Sequence, residues 1–169
     1  MTRIIGIDPG ITGAFVRYDS AGGGTIIDVN DMPKLRVTVG AGVRAVLDFD
    51  SMSEMVYKLI RSWEPELIVM EKPGGMTGQS ASAAFTFGYV CGQIFAAVKI
   101  HAKCRVHTVA PVTWKKAMKV KTSVDDVLAR CNELFPGAGA SYWRGPRGRI
   151  MHDRCEAALL AYYGAHHVK

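Results

Sequence analysis

Four carboxylates occupy positions where they could do chemistry: Asp8, Glu71, Asp153 and Glu156. Asp8 closes the run Ile4-Ile5-Gly6-Ile7, and the Pro9-Gly10 pair after it stops a strand. Glu71 closes a second run of the same design, Leu67-Ile68-Val69-Met70, ahead of Lys72-Pro73-Gly74-Gly75. Short apolar runs rich in β-branched residues read as strands buried on both faces, and open α/β sheets collect ligands at such strand ends. Asp153 and Glu156 are three apart, so a helix starting near His152 presents both on one face. Ala157, Leu159, Leu160 and Ala161 give that helix an apolar surface to hold it on the sheet. Carboxylates at adjacent strand ends repel, and burying them is costly unless a cation lies between them. The set suits a pair of hard divalent ions such as Mg²⁺, which takes oxygen ligands and keeps several waters. Two such ions, about 3.5–4 Å apart, stabilise the attacking and leaving oxygens of a phosphoryl displacement while one activates a water.

Taken singly, each acid also has a plainer account. Asp8 could open a turn, since Asp-Pro-Gly is a common turn sequence. Asp153 and Glu156 could be favourable charges in a first helical turn. Glu71 could pair with Lys72 or an arginine at the surface. His152 could assist proton transfer or be a solvated residue at a helix start. Two strand-end acids together with a helical acid pair favour the shared site.

The elements that must position these residues are legible in outline. Residues 4–8, 14–18 and 25–29 read as three strands of an antiparallel meander, with Gly22, Gly23 and Gly24 ending the second turn. Residues 30–50 read as an extended excursion without a firm assignment. Ser51-x-x-Glu54 has capping-box spacing and opens a helix whose apolar face is Met55, Leu59 and Ile60, ending before Pro65. A helix between strands 4–8 and 67–71 implies a crossover, which makes those two strands parallel. A long helix over 80–102 follows, with Gly88 and Gly92 on one face, open to close approach. Then come a strand at 105–109, helices at 112–118 and 124–135, a Gly-, Pro- and Arg-rich loop at 136–149, and a closing helix at 152–165. The fold class is α/β: a mixed five-stranded sheet flanked by helices, in one domain spanning 1–169.

At 169 residues the chain can bury a full core, and 49% apolar with 21% charged residues is an ordinary globular composition. The N-terminal apolar segment is broken at once by Gly6 and Asp8, unlike a signal peptide, and no membrane span is expected, which points to the cytoplasm. Cys91, Cys104, Cys131 and Cys155 are scattered without zinc spacing and are expected to be reduced and mostly buried. The net charge of +6 permits an anionic partner.

The combination of Gly6-Ile7-Asp8-Pro9-Gly10, a strand ending in Glu71 and a final Asp153-x-x-Glu156 helix resembles the RuvC-type Holliday junction resolvases, in element order over nearly the whole chain. The resemblance implies a ribonuclease-H-like fold acting as a homodimer on four-way DNA junctions. It also implies Mg²⁺ or Mn²⁺, two ions per active site, and paired cuts leaving 5′-phosphate and 3′-hydroxyl ends. Carried over by position, Asp8 bridges the metals and Glu71, Asp153 and Glu156 complete the cluster. Lys115 and Lys121 resemble the family's two lysines near the active site. The chain departs from the family in two places. Glu156 stands where many relatives have aspartate, and Gly74 stands where some have an aromatic wedge, a role left open to Met76, Phe85 or Phe87, although helical aromatics are usually core. These departures, with Glu71-Lys72-Pro73-Gly74, resemble the phage-encoded branch, whose substrates can extend to flaps and other branched DNA.

The basic residues fall into two groups. Lys115, Lys116, Lys119 and Lys121 are interrupted by apolar positions and stand near Trp114. Arg144, Arg147 and Arg149 precede the acid pair in the 136–149 loop. Both are expected at the rim of the acid cluster, where they would neutralise phosphates, though a lysine cluster is also a common solvated helix face. Tyr142 and Trp143 either stack on an exposed base or anchor the loop. No helix-turn-helix or zinc finger is present, so selectivity would come from DNA shape. Two other classes stay open: a catalytically silent junction binder, and an actin-like ATPase, which shares the opening motif but needs two domains.

Overall fold

The computed structural model describes residues 2–74, 78, 80–121 and 123–169. β1 (Arg3–Asp8), β2 (Ala14–Asp19) and β3 (Thr25–Asp31) form the predicted antiparallel meander. β4 (Lys34–Val39) and β5 (Gly42–Leu47) follow, then α1 (Phe49–Trp63), β6 (Leu67–Glu71), α2 (Ala81–His101) and β7 (Arg105–Val109). The chain ends with α3 (Pro111–Met118), α4 (Val124–Leu134), α5 (Ala140–Trp143) and α6 (His152–His167). The main sheet has the order β3-β2-β1-β6-β7, with β6 parallel to both β1 and β7. β1 therefore sits at the centre.

Alternation along the strands divides the core into two layers. Ile4, Leu67 and Val69 face a layer shared with α3, α4 and α6. Ile5, Ile7, Ile68 and Met70 face the opposite layer, under α1 and α2. Helix α6 is buried nearly all round, because it lies between the sheet and α3, α4 and α5. Two glycines let it lie that close. A Cβ on Gly6 would stand 2.0 Å from the Ala157 carbonyl oxygen, and one on Gly164 would stand 2.6 Å from Val69 Cγ2.

Several local expectations change. The 30–50 stretch holds a separate two-stranded hairpin, β4–β5, turned through Gly40, whose φ of 59° favours glycine. Helix α1 begins before Ser51: Asp48 is its cap, accepting from the Ser51 N–H at 3.2 Å, so the Ser51/Glu54 box is not used. Met52 and Val56, rather than Met55, join Leu59 and Ile60 as its fully buried residues. The 136–149 loop contains α5 and a tight turn at Pro146–Gly148, and the buried Trp143 anchors it on Phe135 at 6.0 Å. Helix α2 is, by length and composition, long and apolar enough to cross a bilayer, contrary to the sequence reading. Val90, Cys91, Ile94, Ala97 and Val98 tie it into the core instead. The four cysteines are free, and three of them are buried.

Candidate active site

Residues two apart on a strand share a face, so Asp8 points to the layer that holds Gly6 and α6, and Glu71 follows Leu67 and Val69 there. In the parallel pairing Ile7 stands opposite Met70, which brings the two acids to the same end of neighbouring strands. The N-terminal end of α6 delivers Glu156 and, from its first turn, Asp153 to that end. This turn has no side-chain cap. Arg154 holds it instead, donating from Nε to Asp31 Oδ1 at 2.5 Å and from Nη2 to Asp31 Oδ2 at 2.6 Å. Its Nη1 also reaches the carbonyls of Ser141 and Tyr142.

All four acids line one cavity of about 1290 Å³, together with Lys115, Lys116 and Lys121. Asp8 is 8% exposed and Glu156 6%, so both charges are largely out of water. No side chain among the described residues hydrogen-bonds the Asp8 carboxylate. Its pKa is held well above the ordinary value, first by burial and then by the charges of Glu156, Asp153 and Glu71, with Lys115 opposing. Burial also raises Glu71, against a hydrogen bond from Trp114. The Cys91 thiol is pushed up to about 12 by burial, and the charges of Asp8 and Glu71 add to the effect.

Two consecutive residues of α3 hold two of the acids. Fully buried Trp114 donates from Nε1 to Glu71 Oε2 at 2.7 Å. Lys115 Nζ lies 2.6 Å from Glu156 Oε1 and 5.2 Å from the Trp114 ring centroid, an ion pair flanked by a cation–π contact. His152, read chiefly as a solvated residue at a helix start, is instead half-buried, with Nε2 3.4 Å from the same Glu156 oxygen. Among the described residues, no three acid, histidine or cysteine side chains converge closely enough to grip an ion as they stand. Glu71 is turned to Trp114 and Glu156 to Lys115. The donor set nonetheless fits a hard divalent cation: all four groups are carboxylates on one cavity, and buried Asp8 has charge neighbours of its own sign and, among the described residues, no hydrogen-bond donor.

The remaining sequence candidates are distributed differently. Lys119 is exposed, adopts φ 56° at the end of α3 and does not line the cavity. Nor do Arg144, Arg147 and Arg149; Arg144 instead donates to the Gly148 carbonyl within its own loop. Phe85, expected in the core as a helical aromatic, is 74% exposed and stacks on Tyr89. Phe87 is half-buried and lines the cavity, as does Gly74. Met76 lies outside the described residues. Sequence reasoning missed Arg44, which lines the cavity from β5, and the holding roles of Trp114 and Arg154.

Neither a protein-family model nor a curated protein matches the sequence. Solved structures do. Thermus thermophilus RuvC in complex with a Holliday junction substrate superposes with a TM-score of 0.67 at 14% identity, over 96% of this chain and 92% of that one. The fold is that of the RuvC-type resolvases. The yeast mitochondrial Holliday junction resolvase Ydc2 aligns at TM-score 0.59 and 18% identity over 95% of this chain and 76% of its own. Fowlpox virus resolvase with its junction DNA aligns at TM-score 0.53 and 14% identity over 99% of both chains. The sheet order, with antiparallel strands on one side of β1 and parallel strands on the other, is the mixed five-stranded arrangement expected from the sequence.

Proposed function

We propose that this chain is a metal-dependent, structure-selective DNA endonuclease that resolves four-way junctions by paired nicks. The observation that carries the reading is the cavity itself. Four carboxylates from β1, β6 and α6 are walled by Lys115, Lys116 and Lys121, in a fold shared with resolvases solved on junction DNA. Asp8, Glu71, Asp153 and Glu156 would hold Mg²⁺ or Mn²⁺, two ions per site. The bound ions would supply a water of lowered pKa and charge stabilisation at the scissile phosphate. Lys115, paired with Glu156 in this structure, would offer its ammonium to the phosphate. Lys116 and Lys121 would neutralise flanking phosphates, with Lys119, Arg144, Arg147 and Arg149 contacting DNA farther out.

Paired nicks call for two sites, and α2 offers a surface for a second copy. Phe85, Tyr89 and Phe95 are exposed on the face that carries Gly88 and Gly92, where added Cβ atoms would meet nothing within 4 Å. Light scattering coupled to size exclusion should give the dimer mass, at least on junction DNA; a monomer throughout counts against this part.

The test is cleavage of a labelled synthetic four-way junction beside matched duplex and flap controls. Wild type and Asp8→Asn are each assayed with Mg²⁺, Mn²⁺ or EDTA. Metal-dependent nicks on opposed strands, absent in the variant, are expected. Flaps cut as readily as junctions would broaden the task to branched DNA generally. Tight binding without cutting under any metal would overturn the nuclease reading in favour of a silent junction binder.

A further inference from the structure

The β4–β5 hairpin belongs to neither layer of the core. Its two strands pair with each other and not with the main sheet. It is rooted at its base, where Met32 is buried, Leu47 is partly buried, and Asp48 N–H meets the Pro33 carbonyl at 3.1 Å. Beyond the root it is exposed, with Leu35 at 50%, Val39 at 51% and Val43 at 66%. A lone two-stranded hairpin is marginal in water and gains by lying against something. Residues 34–47 contain Lys34, Arg36 and Arg44 and no acid, so the complementary surface is anionic.

Register makes the argument specific. Arg44 pairs with Val37, and Arg36 with Ala45, so the two arginines project from opposite faces of the ribbon. Arg44 lines the carboxylate cavity, whereas Arg36 does not. Lys115, Lys116 and Lys121 line the same cavity from α3 and the segment after it, which follow edge strand β7, whereas the hairpin follows edge strand β3. In sheet order the acid-bearing strands β1 and β6 thus lie between the two sources of cations. A single nucleic-acid strand running through the cavity would pass between them.

We propose that the β4–β5 hairpin is a DNA-gripping arm, and that Arg44 contacts a backbone phosphate of the strand lying over the acids, on the side away from Lys115. The arm rests on the nuclease reading above and adds to it the second wall of the strand path. Arg44 acts in binding and positioning rather than in the chemistry. Leu35 and Val39, which share the Arg44 face of the ribbon, lie against the same strand and are covered when it is bound.

The experiment is fluorescence anisotropy of a labelled four-way junction in EDTA across a salt series, with wild type, Arg44→Ala, Arg44→Lys and Arg36→Ala. Losing one phosphate contact lowers the slope of log affinity against log salt by about 0.9. Arg44→Ala should show that drop and bind more weakly. Arg44→Lys should recover most of it, and Arg36→Ala should match wild type. Circular dichroism melts should coincide for all four proteins, since both arginines are exposed. An Arg44→Ala slope and affinity equal to wild type, or an equal loss in Arg36→Ala, overturns the arm. Should wild type itself bind no junction, the nuclease reading falls and the arm with it. If wild type binds and cuts while Arg44→Ala does both unchanged, only the arm falls.

Discussion

Lys115 is the cation that lets this acid cluster fold without metal, and replacing it with methionine tests that account most directly. Its ammonium lies 2.6 Å from Glu156 Oε1, with side-chain exposures of 18% and 8%, so water screens the pair weakly. Removing one partner of a buried pair strands the other charge, at a cost of about 3–5 kcal/mol. Here Asp8 and Glu71 also lose the one cation among the described residues that lowers their pKa values, so each is pushed further up. Asp8 and Glu71 can take up a proton instead, which favours the low end, about 3 kcal/mol. For a chain of this size that corresponds to a melting temperature lower by about 6–12 °C. The loss has a definite pH dependence. A carboxylate whose folded pKa lies above its unfolded value destabilises the fold increasingly as pH rises from the unfolded value to the folded one, and not at all where both states are protonated. Lys115→Met should therefore melt well below wild type at neutral pH in EDTA and approach it on acidification. A divalent cation should restore more stability to the variant than to wild type. Melting temperatures within about 2 °C at neutral pH would refute the argument, because they would mean that Lys115 compensates no buried charge.

The same electrostatics predict that Asp8→Asn stabilises the metal-free protein. Asp8 is raised by burial first, so its ionisation costs stability increasingly as pH climbs through the raised value. The gain should appear in neutral melts and vanish in acid, and a lower melting temperature at neutral pH would contradict it. Trp114→Phe removes the hydrogen bond to Glu71 while keeping most of the ring. Cleavage assayed against metal concentration should lose about 10–100-fold in activity or metal affinity, and wild-type curves would deny Trp114 its positioning role. Gly6→Ala places a methyl group 2.0 Å from the Ala157 carbonyl oxygen and 2.5 Å from the Ala161 nitrogen, both backbone atoms that cannot move alone. Denaturant unfolding should report a loss of about 3 kcal/mol or more, and a loss below about 1 kcal/mol would mean that α6 can lift off β1 at little cost.

The strands were legible because each carries its own signal. β1 and β6 are uninterrupted apolar runs closed by an acid and a turn, and a helix between them requires a crossover. The β4–β5 hairpin was not legible as such. Lys34-Leu35-Arg36-Val37-Thr38-Val39 alternates well, but its partner strand and its Gly40 turn looked like continuing excursion. Nothing in the pattern says that the ribbon leaves the sheet, and so Arg44 was missed at the cavity. The start of α1 was misplaced for a related reason. Asp48 and Ser51 are both good caps, and only the packing of Met52 and Val56 decides in favour of the earlier one. Phe85 failed in the other direction: an aromatic on an apolar helix reads as core, yet this face of α2 lies open.

The placement of the acid cluster follows from parity and from two glycines. Asp8 is two residues after Gly6 on β1, and Glu71 is two after Val69 on β6, so each acid faces the layer where α6 packs. A slip of one residue in either strand would send its carboxylate under α1 and α2 instead. Parity alone fixes the face but not the distance. The distance is set by Gly6 and Gly164, which let the α6 backbone rest on the sheet, and by Arg154, which ties the uncapped first turn to Asp31 at the end of β3. Asp153 and Glu156 thus reach the cavity through contacts made by residues that could never be ligands. That is why the acids could be picked out from their spacing, whereas the residues that position them emerged only from the packing.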